Sequence, residues 1–225
     1  VSVTMESNHD TASTNPYVQF LFAGEPVAFL VDTNLTLGEG IFIALVYPSI
    51  HVGVEKPWFH AVQGNHEEMA IVWGHMGESV DDYKRHGGER LMSMSHEDQL
   101  AYVTALAELP YAIQVETSGG LVGLVHADLS ESTWRDMWEK MHNDASREEI
   151  EEVKEHILWS RQRYMKRRAH APIIPDVRAV VVGHTTVSEA LLLGNVHYLD
   201  TGGWTPRGHF MFLELATLQI NPAKF

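Results

Sequence analysis

Three times along this chain a run of β-branched or apolar residues stops abruptly in a short polar cluster containing histidine. Trp58-Phe59-His60-Ala61-Val62-Gln63 precedes Gly64-Asn65-His66-Glu67, Leu121-Val122-Gly123-Leu124-Val125 precedes His126-Ala127-Asp128, and Val177-Arg178-Ala179-Val180-Val181-Val182 precedes Gly183-His184-Thr185-Thr186. Apolar runs of that length, broken so sharply, read as buried strands that each deliver a polar loop at the C-terminal end. The intervening sequence supplies helices. Ser95 caps a segment to about Leu109, in which Leu100, Val103 and Leu106 recur at helical spacing and which Pro110 closes. Ser146 and Glu149 form a capping-box signature, after which Ile150, Val153 and Ile157 mark one face of a helix ending near Trp159. Residues 111–117 and 121–125, joined by Ser118-Gly119-Gly120, read as a hairpin, and 195–199 and 209–215 as further strands. Strands mixed with helices, with hairpins late in the chain, imply an α/β architecture containing mixed sheets.

No repeat, linker or low-complexity tract divides the 225 residues, and 44% hydrophobic content can fill one core, so a single domain over 1–225 is expected. Thirty acidic against 16 basic residues, a net charge of −14, leave no cation excess for a polyanion, which argues against nucleic acid as a partner. The first 15 residues lack the basic-then-apolar order of a signal peptide, and the best apolar stretch, 41–47, is too short to span a bilayer. A soluble, cytoplasmic protein without membrane partners is the expectation.

The chain has no cysteine, so a bound metal has to be held by His, Asn, Asp or Glu. It has 14 histidines, roughly three times ordinary usage. Metal ligands must converge from separate loops, which a rigid strand framework can aim from its edge. Asn65, His126 and His184 each lie at or within two residues of a predicted strand end. One amide oxygen and two imidazole nitrogens suit Mn, Fe, Zn or Co better than calcium or magnesium alone. Taken singly, each has a plainer reading: a loop histidine bonded to its own backbone, or a turn asparagine.

In order and spacing, the segments KPWFHAVQGNHEEMA, LVGLVHAD, HILWSRQR, AVVVGHTT and NVHYLDTGG resemble the bacterial and phage branch of the PPP metallophosphatases, over about three-quarters of the chain from Glu55 to about Gln219. The resemblance implies a calcineurin-like metallophosphatase sandwich of mixed β-sheets flanked by helices. It implies that Asn65, His126 and His184 hold one metal, that His66 is the general acid protonating the departing alkoxide, and that Arg161 grips the phosphate oxygens with a guanidinium fork. Glu67 and Asp128, flanking ligands, are either acceptors that orient an imidazole or solvent-facing carboxylates. Arg163 reads as surface, and Arg167 with Arg168 as a solvated basic patch. The implied reaction is one-step hydrolysis of a phosphomonoester by a hydroxide held between two ions roughly 3.5–4 Å apart.

Such proteins open with GDxHG and GDxxDRG segments, and neither occurs here. Residues 1–54 contain no Gly-Asp dipeptide and no arginine. This stretch is altered or divergent, with His9, Asp10, Asp32 and Glu39 as the available replacement ligands, each also readable as an ordinary tail or turn residue. The function expected is a phosphoserine/phosphothreonine protein phosphatase or small-phosphomonoester hydrolase. A phosphatase-like binding protein without turnover and a dinucleoside polyphosphate hydrolase are the alternatives.

Overall fold

A computed structural model describes residues 2–5, 27–29, 60–77, 80–129, 132–142, 145–166, 171–202, 207–209 and 211–222. His9, Asp10, Asp32, Glu39, the run 41–47 and Arg167-Arg168 lie outside the described residues. Among those described, the order is β1 (Ser2–Met5), β2 (Val27–Phe29), α1 (Asn65–Met76), α2 (Val80–Arg85), α3 (Glu89–Met92), α4 (His96–Ala107), β3 (Ala112–Thr117) and β4 (Gly120–Val125). Then come α5 (Trp134–His142), α6 (Arg147–Trp159), α7 (Gln162–Met165), β5 (Ala179–Val182), β6 (Leu191–Leu193), β7 (Val196–Tyr198), β8 (Met211–Glu214) and β9 (Gln219–Pro222).

A six-stranded sheet runs β1-β3-β4-β5-β7-β6 and a three-stranded one β2-β8-β9. The centre of the large sheet is parallel, β4 with β5 and β5 with β7, and its flanks are antiparallel. Side chains alternate along each strand, so one apolar run serves two cores. Val122, Leu124, Ala179 and Val181 share a core with Leu199, just after β7, and with Met211, Leu213 and Leu215 in and beside β8. Val125, Val180 and Val182 face the other way, against Trp134, Met137, Val153, Ile157 and Leu158 of α5 and α6. The large sheet therefore has the small sheet on one face and helices on the other, compatible with a sandwich. Gly123 is required by this packing: a Cβ there would stand 2.4 Å from the Trp134 ring.

The β3–β4 hairpin closes through the two-residue turn Ser118-Gly119, with Thr117 paired to Gly120. Gly120 takes φ 119°, open to glycine alone at little cost. The two caps form as expected. Ser95 Oγ accepts the Asp98 amide at 3.2 Å, and Ser146 Oγ accepts the Glu149 amide at 3.3 Å while the Glu149 carboxylate accepts the Ser146 amide at 2.8 Å.

Two expectations change. The run before Asn65 is no strand over its described part, 60–63, where the Gln63 amide donates to the Pro110 carbonyl at 2.7 Å. Its apolar character instead reflects burial in two cores: Ala61 packs with Met69, Ala70, Val103 and Leu106 of α1 and α4, and Val62 with Val115, Val122 and Leu213 of the sheets. Leu100 is 56% exposed, because α4 docks through Val103 and Leu106, with Val103 seated on Gly74 of α1.

Replacing Ser146 by alanine should cost about 1 kcal/mol of stability, through loss of the cap that starts α6. Urea denaturation of the intact chain measures it, and an unchanged midpoint would show that α6 does not depend on its cap.

Candidate metal centre

Because β4 and β5 pair in parallel, with Leu124 opposite Val181, their C-terminal ends lie side by side. His126 follows β4 immediately and His184 follows β5 by two residues. The Gly183 amide donates to the His126 carbonyl at 2.9 Å and the Ala127 amide to the Ile157 carbonyl at 2.8 Å, so both loops are fixed where they leave the sheet. His184 has φ 58°, a left-handed backbone costing on the order of 1 kcal/mol in a non-glycine residue, as seen where a site over-determines the chain. The third arm is α1. Asn65 is its first residue, and Glu67 Oε2 accepts the Gly64 amide at 2.9 Å to start the helix.

The structure brings Asn65, His126 and His184 together. His126 Nε2 lies 2.7 Å from Asn65 Oδ1 and 3.1 Å from His184 Nδ1. His184 Nε2 donates to the Trp159 carbonyl at 3.2 Å, which fixes the tautomer and leaves Nδ1 a lone pair facing His126. Three potential ligand atoms thus crowd one point with a single proton, that of His126 Nε2, between them. His126 Nδ1 is buried and without a hydrogen-bond partner. Both imidazoles are held neutral, the ligating form. Burial, followed by the charges of His184, His66 and Arg161, pushes His126 well below the usual histidine range. Burial, then Arg161, brings His184 to about 4. The donor set fits a divalent cation replacing the shared proton, with one amide oxygen and two imidazole nitrogens as its ligands here. Among the described residues no group of three His, Cys, Asp or Glu side chains could hold a metal ion.

Gly64 has to be glycine, because a Cβ there would stand 2.6 Å from His126 Nδ1. His66, the next residue to Asn65, is half-buried, with its ring 5.9 Å from that of His86 and edge-on to it. Burial, then the His86 charge, lowers its pKa, opposed by a hydrogen bond to the His86 backbone. Arg161 is exposed at the start of α7, with Nη2 donating to the His184 carbonyl at 3.3 Å.

Three neighbours differ from or add to the sequence reading. Arg163 is no surface residue: its Nε donates to Asp128 Oδ1 at 3.1 Å, its amide to Asp128 Oδ2 at 3.0 Å and its Nη1 to the Pro172 carbonyl at 2.8 Å. Asp128 is accordingly buried and bonds a guanidinium, neither an imidazole nor solvent. Trp159, unmarked in the sequence beyond its place in LWSRQR, supports His184 through its carbonyl while its Nε1 donates to Glu68 of α1 at 2.6 Å. A role played by a backbone carbonyl leaves no trace in residue identity.

No protein-family model matches the chain. Serine/threonine-protein phosphatase 1 of Salmonella typhimurium strain LT2 is 28% identical over 152 residues, covering 66% of this chain and 63% of that protein. Serine/threonine-protein phosphatase 2 of the same organism is 27% identical over 195 residues, covering 83% of this chain and 82% of that protein. The chain thus spans less than two-thirds of the first relative's length and more of the second's. Both similarities support a PPP-type phosphatase at the level of family, in agreement with the ordered motifs. No helix among the described residues is long and apolar enough to cross a membrane.

Two outcomes follow from this geometry. Gly64→Ala should cost about 1–3 kcal/mol by forcing the His126 ring off Asn65 and should weaken binding of added manganese; unchanged urea stability would show that the contact relaxes freely. In chelator-treated protein, His60 and His184 at about 4, and His197 and His126 shifted the same way, all chiefly by burial, bind fewer protons folded than unfolded near pH 5. Stability is therefore complete above the unfolded value of about 6.5 and falls as pH drops from there toward 4. Urea midpoints measured across that interval should decline, and a flat profile would contradict the burial of these rings.

Proposed function

We infer that this chain is a metal-dependent phosphomonoesterase with a calcineurin-like sandwich, acting on phosphoserine or phosphothreonine in proteins. The carrying observation is the meeting of Asn65 Oδ1, His126 Nε2 and His184 Nδ1 at one point, with His66 and Arg161 beside it. The names of the two Salmonella proteins support the substrate class. Manganese, or iron, zinc or cobalt, held there would supply positive charge against the phosphoryl oxygens and a nucleophile at neutral pH. Among the described residues no carboxylate joins the three donors, so ligands for a second ion would come from Asp10, Asp32 or Glu39.

The chain's own residues then divide the work. Asn65, His126 and His184 present lone pairs without carrying charge, since burial keeps both rings neutral. Arg161, exposed and bonded among the described residues to the His184 carbonyl at 3.3 Å, exchanges that contact for a charged phosphate oxygen, a shorter and stronger bond. His66 donates a proton to the leaving alkoxide. A phosphate dianion within a few ångströms favours the imidazolium, offsetting the burial that lowers its pKa in the resting site. The lack of a carboxylate in the described donor set favours, as a second reading, a phosphate-recognising protein without turnover.

Activity on an aryl phosphate with added manganese separates the two readings. In the active protein, His66→Asn should retain metal and lower turnover of an alkyl phosphate about 10²–10⁴-fold, with far less effect on an aryl phosphate, whose phenolate leaves unaided. His126→Ala should release metal and depress both substrates together. Equal loss on both substrates for His66→Asn with metal retained would remove its role as acid, and an inert, metal-loaded parent would leave the binding protein.

A further inference from the structure

Arg161 starts a helix of four residues, Gln162–Met165, with no side-chain cap. One turn of helix has almost no stability of its own, so something outside it sets where Arg161 stands. That anchor is the Asp128–Arg163 pair. Both Asp128 oxygens are engaged, Oδ1 by Arg163 Nε at 3.1 Å and the Leu129 amide at 2.8 Å, Oδ2 by the Arg163 amide at 3.0 Å. Arg163 reaches on through Nη1 to the Pro172 carbonyl at 2.8 Å, tying α7 to the segment that leads into β5. The Asp128 and Arg163 side chains are only 4% and 11% exposed, so this pair is shielded from the solvent screening that weakens surface ion pairs. Asp128 also stands two residues beyond His126, on the loop locked to the end of β5.

We propose that Asp128 is a positioning residue for phosphate recognition: its carboxylate, through Arg163, holds the start of α7 so that Arg161 stands over His184 and meets the substrate phosphate. This deepens and rests on the phosphatase reading. The carboxylate reaches no reacting atom. It fixes the distance between the loop bearing His126 and the guanidinium that receives the phosphate, a spacing α7 cannot set for itself. Asparagine would keep the size, but lose the charge and turn an amide toward Arg163 donors, freeing the segment to shift by a fraction of a turn.

A double-mutant cycle on the intact, manganese-loaded chain tests this, with inorganic phosphate as probe, read both as an inhibitor and directly by tryptophan fluorescence. Asp128→Asn should raise KM and the phosphate dissociation constant about tenfold with manganese content unchanged and kcat less affected. On an Arg161→Ala background the same substitution should change neither, since the group it positions is gone. Arg163→Lys, which keeps the charge but loses the fork, should give a smaller loss with the same dependence on Arg161, and it decides the matter if Asp128→Asn does not fold. An equal loss with and without Arg161, or a loss explained by released manganese, overturns the proposal while leaving an active phosphatase. A parent chain that neither hydrolyses phosphomonoesters nor binds phosphate overturns the phosphatase reading and the proposal with it.

Discussion

Everything at this site depends on the parallel pairing of β4 with β5. Antiparallel neighbours would send His126 and His184 to opposite ends of the sheet; parallel ones release both at the same edge, in adjacent loops. The pairing requires a crossover, and α5, α6 and α7 provide it by packing over one face. That crossover is also what brings Trp159, Arg161 and Arg163 back to the edge from which the histidines emerge. One topological constraint thus places the two histidines, the carbonyl that orients one of them and the guanidinium beside them.

The third donor arrives differently. Asn65 is the first residue of α1, and from the start of the helix its side chain reaches His126 Nε2. Its aim depends on Gly64, whose missing Cβ leaves room for His126, and on Glu67, which closes the helix start. The Gly-Asn-His-Glu sequence is in this sense one geometrical unit. Glycine makes space, asparagine reaches the shared point, histidine meets the His86 ring edge-on and glutamate holds the turn.

Much of this was legible in the sequence because the relevant signals are local. The runs 121–125 and 179–182 are apolar on both faces, the mark of strands buried on both sides, and each ends in a histidine loop. Ser95 and Ser146 announce their helices through side-chain chemistry within four residues. What escaped was decided by distant partners. The segment 60–63 is as apolar as a strand, but its burial comes from two cores, Ala61 against α1 and α4 and Val62 between the sheets, while the Gln63 amide bonds the Pro110 carbonyl. Arg163, in a hydrophilic stretch, was indistinguishable from a solvated arginine until Asp128, 35 residues earlier, came to meet it. Short strands such as β1, β2, β6 and β9 have too few residues for any periodicity to show.

The environment of His66 completes the chemical argument. Burial, then the His86 charge, lowers the His66 pKa, which would make its imidazolium a stronger acid for donation to a departing alkoxide while favouring the neutral ring in the resting site. These two effects conflict only while the site is empty of anion. A phosphate dianion beside the ring stabilises the charged form by the same Coulomb attraction that Arg161 exerts on the phosphate, and in a partly buried site that attraction exceeds its value in water. In the inferred reaction the acid is therefore loaded by the substrate itself. His126 and His184 stay neutral throughout, since Arg161 and burial oppose a proton on either ring. The three neighbouring imidazoles thus differ by their surroundings: burial lowers all three, most strongly on the fully enclosed His126, and on His66 the neighbouring His86 adds to it.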